Sequence, residues 1–106
     1  MKTFVWIKTS FEGFHRWKDA PEEVAFLQQW HRHRFHVKLS VSVNHDNRDV
    51  EFILLQRRVR KYIDEFYELQ YFESSCEMIA KDLLYQFNAS SVEVSEDGEN
   101  GALVEV

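Results

Sequence analysis

Two stretches in the first half of the chain favour β-strands, the first by its residue types and the second by the alternation of hydrophobic and polar positions. Residues 3–14 are rich in aromatic and β-branched types, which favours a strand, with Gly13 as a kink or bulge. Residues 17–29 form a connection in which Pro21 can start a helical turn. From His33 to Val43 every second residue is apolar, and this period of two predicts a long strand with one buried face. The apolar positions are Phe35, Val37, Leu39, Val41 and Val43.

The middle of the chain changes to helical spacing. Over residues 50–68 the apolar residues recur every three or four positions, which predicts an amphipathic helix. They are Phe52, Leu55, Val59, Tyr62, Ile63 and Phe66. A second helix is expected at about residues 74–87, where Ser74 and Glu77 have the spacing of a capping box.

The last part of the chain returns to short alternating segments. Residues 91–95 and 102–106 alternate, and the loop between them contains Gly98 and Gly101, so a β-hairpin is expected. The resulting order is β-β-α-α-β-β. This order indicates an α+β fold, in which one antiparallel sheet carries both helices on the same face.

Composition limits the class of protein. A chain of 106 residues fits a single domain, residues 1–106. Its net charge of -5, without a run of Lys or Arg, argues against a nucleic-acid partner. No apolar segment approaches about 18 residues, so no membrane partner is expected. The lone Cys76 excludes a disulfide framework and fits a reducing compartment, which predicts a cytoplasmic protein.

The histidines are the candidate chemistry. In an extended strand His31 and His33 point to the same face, which continues into the apolar face of the second strand. Two such imidazoles can share one zinc ion, and His15 at the end of the first strand is a candidate third ligand. The alternative is that these are packed histidines without a metal. His36 and His45 are expected to be ordinary surface residues.

Five segments of the chain also match a family pattern, in the family's order. Phe11–Arg16 resembles the segment F-S-A-A-H-R/F, and His31–Val37 resembles H-G-H-[NS]-[YF]-x-V. Val50–Phe52 with the following helix is similar to V-x-D-F-x-x-L, Ser75–Ala80 to T-S-E-N-L-A, and Val92–Glu96 to V-x-V-x-E. Together they resemble the family of 6-pyruvoyl-tetrahydropterin synthase and 6-carboxytetrahydropterin synthase, the second of which belongs to queuosine biosynthesis. The chain looks like a short, divergent member.

The resemblance implies the tunnelling fold, or T-fold, in which subunits join their sheets into a barrel as trimers or hexamers. It implies a zinc-dependent lyase or synthase, with zinc on His15, His31 and His33 and ligand sites between subunits. It also implies that Glu96 anchors the 2-amino-4-oxo edge of a pterin. A carboxylate suits this role because it can accept two parallel N–H bonds.

The chain departs from the family pattern where proton transfer takes place. The family's Cys falls on Leu27, and its Asp-His pair falls on Tyr67-Glu68, so it stays open whether the chain is an enzyme. General acid–base catalysis needs a titratable group within reach of the reacting proton, and leucine has none. Glu23 and Glu68 are the weak candidates for replacement catalytic groups, and His36 is a further one.

Three functions remain open from the sequence. The first is a zinc-containing protein that binds a pterin- or purine-type ligand through Glu96, with Arg32 on oxygen or phosphate groups and with impaired or lost synthase chemistry. The alternative is an active zinc-dependent synthase or lyase that acts on dihydroneopterin triphosphate with replacement acid–base residues. The third is a purely structural use of the barrel. Glu77 is either a ligand contact or only a helix cap.

Overall fold

A computed structural model describes residues 1–106, which form an α+β fold of five strands, two α-helices and one 3-10 helix. In chain order the elements are β1 (Thr3–His15), the 3-10 helix (Glu22–Gln28), β2 (His31–Val43), α1 (Phe52–Phe66), β3 (Tyr71–Phe72), α2 (Cys76–Phe87), β4 (Ser91–Glu96) and β5 (Asn100–Glu105). A membrane-spanning helix would need more length and more continuous apolar character than any of these helices has.

The strands form one sheet in the order β3-β1-β2-β4-β5. The long strands β1 and β2 pair antiparallel without interruption, from Thr3 opposite Val43 to His15 opposite His31. The prediction of a wholly antiparallel sheet is wrong, because β3 pairs in parallel with the last two residues of β1. A strand of two residues is too short to carry any period, so the sequence pattern could not reveal it.

The core lies between one face of this sheet and both helices, as the sequence predicted. Alternate residues of β1, β2 and β4 pack against α1 and α2. The fully buried side chains are Phe11, Phe35, Val37, Leu39, Val59, Ile63, Ile79, Ala80, Leu83, Val92 and Val94. Phe11 and Phe35 stack across β1 and β2, with ring centroids 5.0 Å apart.

Gly13 is required for close packing rather than for a bulge. The pairing of β1 with β2 continues unbroken through Gly13, opposite His33, so the predicted kink or bulge is absent. A Cβ atom at this position would lie 2.7 Å from Cε1 of Phe72. The ring of Phe72 can approach the strand only because no side chain stands there.

Helix α2 begins one residue later than the predicted capping box requires. Ser75 is the N-cap residue, and its hydroxyl accepts a hydrogen bond from the backbone N–H of Met78 at 3.2 Å. The predicted pairing of Ser74 with Glu77 is therefore wrong, because it needs Ser74 at the N-cap. Glu77 lies in the exposed first turn of the helix, with its carboxylate free of that role.

The outer edge of β1 is hydrogen-bonded by α1 and by the segment that follows it. Gln56 donates to the carbonyl of Lys8, Arg60 to that of Ser10, and the backbone of Leu69 to that of Glu12. The carboxylate of Glu68 accepts from the backbone N–H of Glu12 at 3.1 Å. Part of this edge is thus covered by side chains instead of a neighbouring strand.

Two tyrosines join α1 and its C-terminal end to α2 through one carboxylate. The hydroxyls of Tyr62 and Tyr67 donate to Oδ2 of Asp82 at 2.9 and 2.5 Å. Burial, and then the bond to Asp82, raise the pKa of Tyr62 to about 12, and the same causes raise the pKa of Tyr67 far above its usual range. Tyr67, which aligns with part of the family's Asp-His pair, therefore holds the helices together.

Candidate metal centre

Three histidines meet where β1 ends and β2 begins. His15 and His31 are opposite one another in the strand pairing, and His33 is two residues further along the same face of β2. Their ring centroids are 4.5 to 5.3 Å apart. One ligand nitrogen from each ring lies within 4.8 Å of the other two. The strand register thus brings together the three residues that the sequence singled out.

The outer ring nitrogens of His31 and His33 are held by acceptors. Nδ1 of His31 lies 2.8 Å from the carbonyl oxygen of Gln29, and Nδ1 of His33 lies 2.6 Å from Oδ2 of Asp97. The Nε2 atoms of His15 and His31 are buried and have no hydrogen-bond partner. Metal-binding histidines characteristically donate their second ring N–H to a carbonyl or carboxylate, which leaves the other nitrogen for the metal. The residues present therefore fit a zinc ion.

Asp97, which holds Nδ1 of His33, lies in the loop between the last two strands and was not among the predicted site residues. Its backbone N–H donates to the carbonyl of Arg34 at 2.8 Å, and its Oδ1 accepts from the N–H of Arg34 at 3.1 Å. The hydrogen bond with His33, reinforced by that from Arg34, holds the pKa of Asp97 below its usual range. The available signal was an acidic residue directly after β4, whose last residue, Glu96, pairs with Phe35.

His15 is the most deeply placed of the three histidines. Only 8% of its surface is exposed, and its ring meets that of Phe35 edge-on at 5.1 Å. Burial lowers the pKa of His15; the carboxylate of Glu96 opposes this shift, and His31 and His33 add to it. Because a metal ion binds neutral imidazole, a lowered pKa favours the form that can coordinate zinc.

Glu96, the residue expected to anchor a pterin, lies against these histidines. Its Oε1 is 3.2 Å from Nε2 of His15, and its Oε2 is 3.5 Å from Nε2 of His33. No hydrogen bond joins Nε2 of His15 to this carboxylate, although the two atoms are 3.2 Å apart. The carboxylate thus stands beside the free nitrogens without bonding to them.

A cavity of about 450 Å³ opens beside the histidines. Its lining includes His15, His31, Glu96, Glu77 and Leu27. Leu27, at the position where the family carries its Cys, therefore shares one cavity with two of the histidines and with both candidate ligand-binding glutamates. The remaining lining residues are Arg16, Trp17, Glu73, Ser74, Ser75, Cys76, Met78, Asn100 and Gly101.

Other candidate residues lie away from this cavity. Arg32 is on the opposite face of β2, with Nη1 3.7 Å from a carboxylate oxygen of Glu12. Glu23 is exposed on the 3-10 helix, and Glu68 is hydrogen-bonded to the backbone of Glu12. Within one chain, the structure does not bring these three residues to the histidines.

Cys76 shares the cavity with Leu27, although the two are far apart in sequence. Burial raises the pKa of Cys76 to about 11, and the charges of Glu96 and Glu77 contribute in the same direction. A helix N-terminus normally lowers the pKa of a thiol. Here burial outweighs that effect, so Cys76 is protonated at neutral pH.

We expect Cys76 to react slowly with iodoacetamide in the folded protein. The raised pKa leaves about 100-fold less thiolate at pH 8 than an unperturbed cysteine has, and the thiolate is the reactive form. The rate should increase about tenfold for each pH unit until about pH 11. Mass spectrometry of the folded and the urea-unfolded chain measures both rates. Equal rates at pH 8 would contradict this expectation.

No protein-family model matches the chain, and no curated protein matches it. Among solved structures, an uncharacterized protein from Wolinella succinogenes superimposes with a TM-score of 0.82, at 14% identity, over 99% of this chain and 98% of that one. The 6-pyruvoyl tetrahydropterin synthase of Caenorhabditis elegans superimposes with a TM-score of 0.79, at 12% identity, over 100% of this chain and 96% of that one. The predicted α+β architecture is thereby confirmed, apart from the parallel strand β3, and the chain has the tunnelling fold of 6-pyruvoyl tetrahydropterin synthase.

Proposed function

We propose that this chain is a divergent member of the 6-pyruvoyl-tetrahydropterin synthase and 6-carboxytetrahydropterin synthase family. It binds zinc through His15, His31 and His33 and holds a pterin- or purine-type ligand in the adjoining cavity. The family's synthase chemistry is impaired or lost. The observation that carries the proposal is the pair of buried, unpartnered Nε2 atoms on His15 and His31.

Energetics support a metal at this position. A buried polar atom left without a partner costs about 1–3 kcal/mol, so two such atoms on adjacent rings call for a partner. A zinc ion satisfies both, together with Nε2 of His33. The acceptors on Gln29 and Asp97 fix the rings so that the free nitrogens face one another. When bound, zinc supplies a Lewis acid that polarises oxygen atoms of a ligand.

The cavity supports a small planar ligand. Its volume of about 450 Å³ falls within the range of about 300–1,000 Å³ common for small-molecule sites. Three carboxylates line it. That of Glu73 pairs with Arg16, whereas those of Glu77 and Glu96 can each accept two parallel N–H hydrogen bonds of the kind that a pterin or guanine edge offers. The proposed ligand is therefore recognised chiefly through its N–H groups.

The residues at the family's acid–base positions give little support to proton transfer in this cavity. Leu27 lines it where the family has a cysteine, and Cys76 is protonated at neutral pH. Tyr67 and Glu68 are occupied by contacts with Asp82 and with the backbone of Glu12. A side chain that does not ionise, or that does not reach the cavity, cannot transfer a proton there. These placements favour binding over turnover.

Open strand edges support assembly into a trimer or hexamer with sites between subunits. Strand β5 has a partner on one side only, and the start of β1, near Phe4 and Trp6, is covered neither by β3 nor by the side chains of α1. Each chain therefore offers two sheet edges to its neighbours, at opposite sides of the sheet. Joining such edges pairs backbone groups that would otherwise bond only to water.

Zinc binding is tested by measuring the metal content of the purified protein. We expect about one zinc per chain, because one ligand nitrogen from each of three imidazoles lies within 4.8 Å of the other two. The His31→Ala variant should bind zinc at least about 100-fold more weakly, since even the loss of a group that only orients a metal ligand costs about 10–100-fold. His36→Ala is the matched control, because His36 lies on the opposite, exposed face of β2. Wild-type protein that takes up no zinc on titration would refute the proposal.

Native mass spectrometry of the same sample measures the number of subunits in the oligomer and detects any small molecule that co-purifies with it. Incubation with dihydroneopterin triphosphate in the presence of zinc should leave this compound unchanged. Zinc-dependent turnover that is abolished in His33→Ala would favour the alternative, an active synthase or lyase.

A further inference from the structure

We infer that Asp97 selects the tautomer of His33 that can bind a metal, by keeping the imidazole proton on Nδ1 and leaving Nε2 free. This inference rests on the proposed zinc binding and deepens it. A histidine coordinates a metal through a ring nitrogen that carries no proton, and neutral imidazole can carry its proton on either nitrogen. Asp97 lies outside the group of converging ligand atoms and outside the lining of the cavity, so it is a positioning residue that acts through His33.

The carboxylate of Asp97 faces two hydrogen-bonding groups at once. Its Oδ2 lies 2.6 Å from Nδ1 of His33, and its Oδ1 accepts from the backbone N–H of Arg34 at 3.1 Å. The second ring nitrogen, Nε2 of His33, lies 3.5 Å from the carboxylate of Glu96, which in turn is 3.2 Å from the buried Nε2 of His15. The ring of His33 therefore has Asp97 at one nitrogen and the proposed metal position beside the other.

A tight turn fixes the carboxylate of Asp97 in this place. The backbone N–H of Asp97 donates to the carbonyl of Arg34 at 2.8 Å, so its main chain is also tied to β2. Asp97 and Gly98 have φ angles of 56° and 73°, and the N–H of Glu99 donates to the carbonyl of Glu96 at 3.0 Å. Positive φ at both central residues is characteristic of a type I′ turn, in which Asp-Gly is a favoured pair. Although 48% of the Asp97 side chain is exposed, its position is thus set by the backbone.

The number of donors and acceptors around Asp97 allows one tautomer of a neutral His33. An ionised carboxylate accepts hydrogen bonds and has none to donate, so both of its neighbours must be donors. The backbone N–H of Arg34 is always a donor, and Nδ1 of His33 is one only when it carries the proton. Nε2 then keeps a free lone pair. His31 has the same arrangement, since its Nδ1 lies 2.8 Å from the carbonyl oxygen of Gln29, which also only accepts.

Replacement of this carboxylate by an amide reverses the requirement. An asparagine side chain has one accepting oxygen and one donating NH₂ group. In Asp97→Asn the oxygen stays with the N–H of Arg34, because a backbone donor cannot change its role, and the NH₂ group then faces Nδ1 of His33. Nδ1 must accept, so the proton moves to Nε2, where it opposes metal binding. Asp97→Ala instead leaves water at Nδ1, and both tautomers remain accessible, so Asp97→Asn is the more harmful change although it preserves the side-chain shape.

Nitrogen NMR of the histidine rings in the metal-free protein shows which nitrogen carries the proton, at about pH 8, above the usual histidine pKa of about 6.5. We expect the proton of His33 on Nδ1 in the wild type and on Nε2 in Asp97→Asn. His31 is the internal reference and should keep its Nδ1 proton in both, since its acceptor on Gln29 is unchanged. Zinc titration should give about 10–100-fold weaker binding in Asp97→Asn and a smaller loss in Asp97→Ala. Glu99→Gln, exposed in the same turn, is the matched control and should resemble the wild type.

The outcomes separate this inference from the proposed function. A wild-type His33 with its proton on Nε2, or an Asp97→Asn variant with the wild-type tautomer and affinity, overturns the inference while zinc binding stands. A larger loss in Asp97→Ala than in Asp97→Asn also overturns it, because a role in shape or packing alone predicts that order. A wild type that binds no zinc overturns the proposed function, and the tautomers, measured without metal, still support or overturn the control of His33 by Asp97. A proton that moves from Nδ1 to Nε2 in Asp97→Asn, with the expected order of affinities, supports the inference.

Discussion

We expect the Phe35→Ala variant to lose about 3–5 kcal/mol of unfolding free energy, the range typical of truncating a buried Phe. Phe35 is fully buried, stacks on Phe11 at 5.0 Å and contacts the ring of Phe72 at 5.5 Å. Its removal leaves a cavity between β1, β2 and β3. Urea unfolding, followed by circular dichroism, measures the loss.

The same variant should also weaken zinc binding. The ring of His15 rests edge-on against Phe35 at 5.1 Å, so its orientation depends on that contact. Phe26→Ala is the control for stability, because Phe26 is 71% exposed and its removal should change the unfolding free energy by no more than about 0.5 kcal/mol. A loss below about 1 kcal/mol in Phe35→Ala would contradict the assignment of Phe35 to the centre of the core.

Removal of the Asp82 carboxylate is the second change expected to have a large effect. Asp82 accepts hydrogen bonds from the hydroxyls of Tyr62 and Tyr67, and both bonds connect α1 or its C-terminal end to α2. Because hydrogen bonds to a charged group contribute about 1.5–3 kcal/mol each, Asp82→Ala should lower the unfolding free energy by about 2–4 kcal/mol. The lower part of that range reflects the partial exposure of Asp82.

An ultraviolet titration of the tyrosines gives an independent measure of the same contact. Burial and Asp82 raise the pKa of Tyr62 to about 12, so without the carboxylate this tyrosine should ionise at lower pH, nearer its ordinary value of 10. Asp64→Ala is the matched control, since Asp64 is exposed on α1 and pairs only with Arg60. Exposed ion pairs contribute about 0–1 kcal/mol. If Asp82→Ala and Asp64→Ala had equal effects, the two tyrosine contacts would carry no stability.

Periodicity was sufficient to predict the part of the site that the strands build. Alternation along β2 places His31 and His33 on the face of Phe35, and antiparallel pairing then brings the end of β1 beside them. This confirmed juxtaposition follows from a geometric rule with a period of two, which a single sequence displays.

The features that sequence reasoning missed depend on contacts between distant segments. Asp97 meets His33 across 64 positions, and Tyr67 meets Asp82 across 15, although nothing in their local sequences selects these partners. The start of α2 at Cys76 was misplaced by the choice between two adjacent serines, either of which can cap a helix. Glu96 was associated with a ligand through the family pattern, whereas its position beside the histidines depends on the register of β4 against β2.

Side chains of α1 bond to the outer edge of β1, and this protects the chain against aggregation through that edge. An uncovered edge strand can template pairing with any other extended chain. Because the carbonyls of Lys8, Ser10 and Glu12 are already bonded, a foreign strand finds outward carbonyl groups without a partner only near Phe4 and Trp6. The long, in-register pairing that starts a fibril is thereby reduced to a few residues. A second copy of the chain can still join at this short segment without displacing α1.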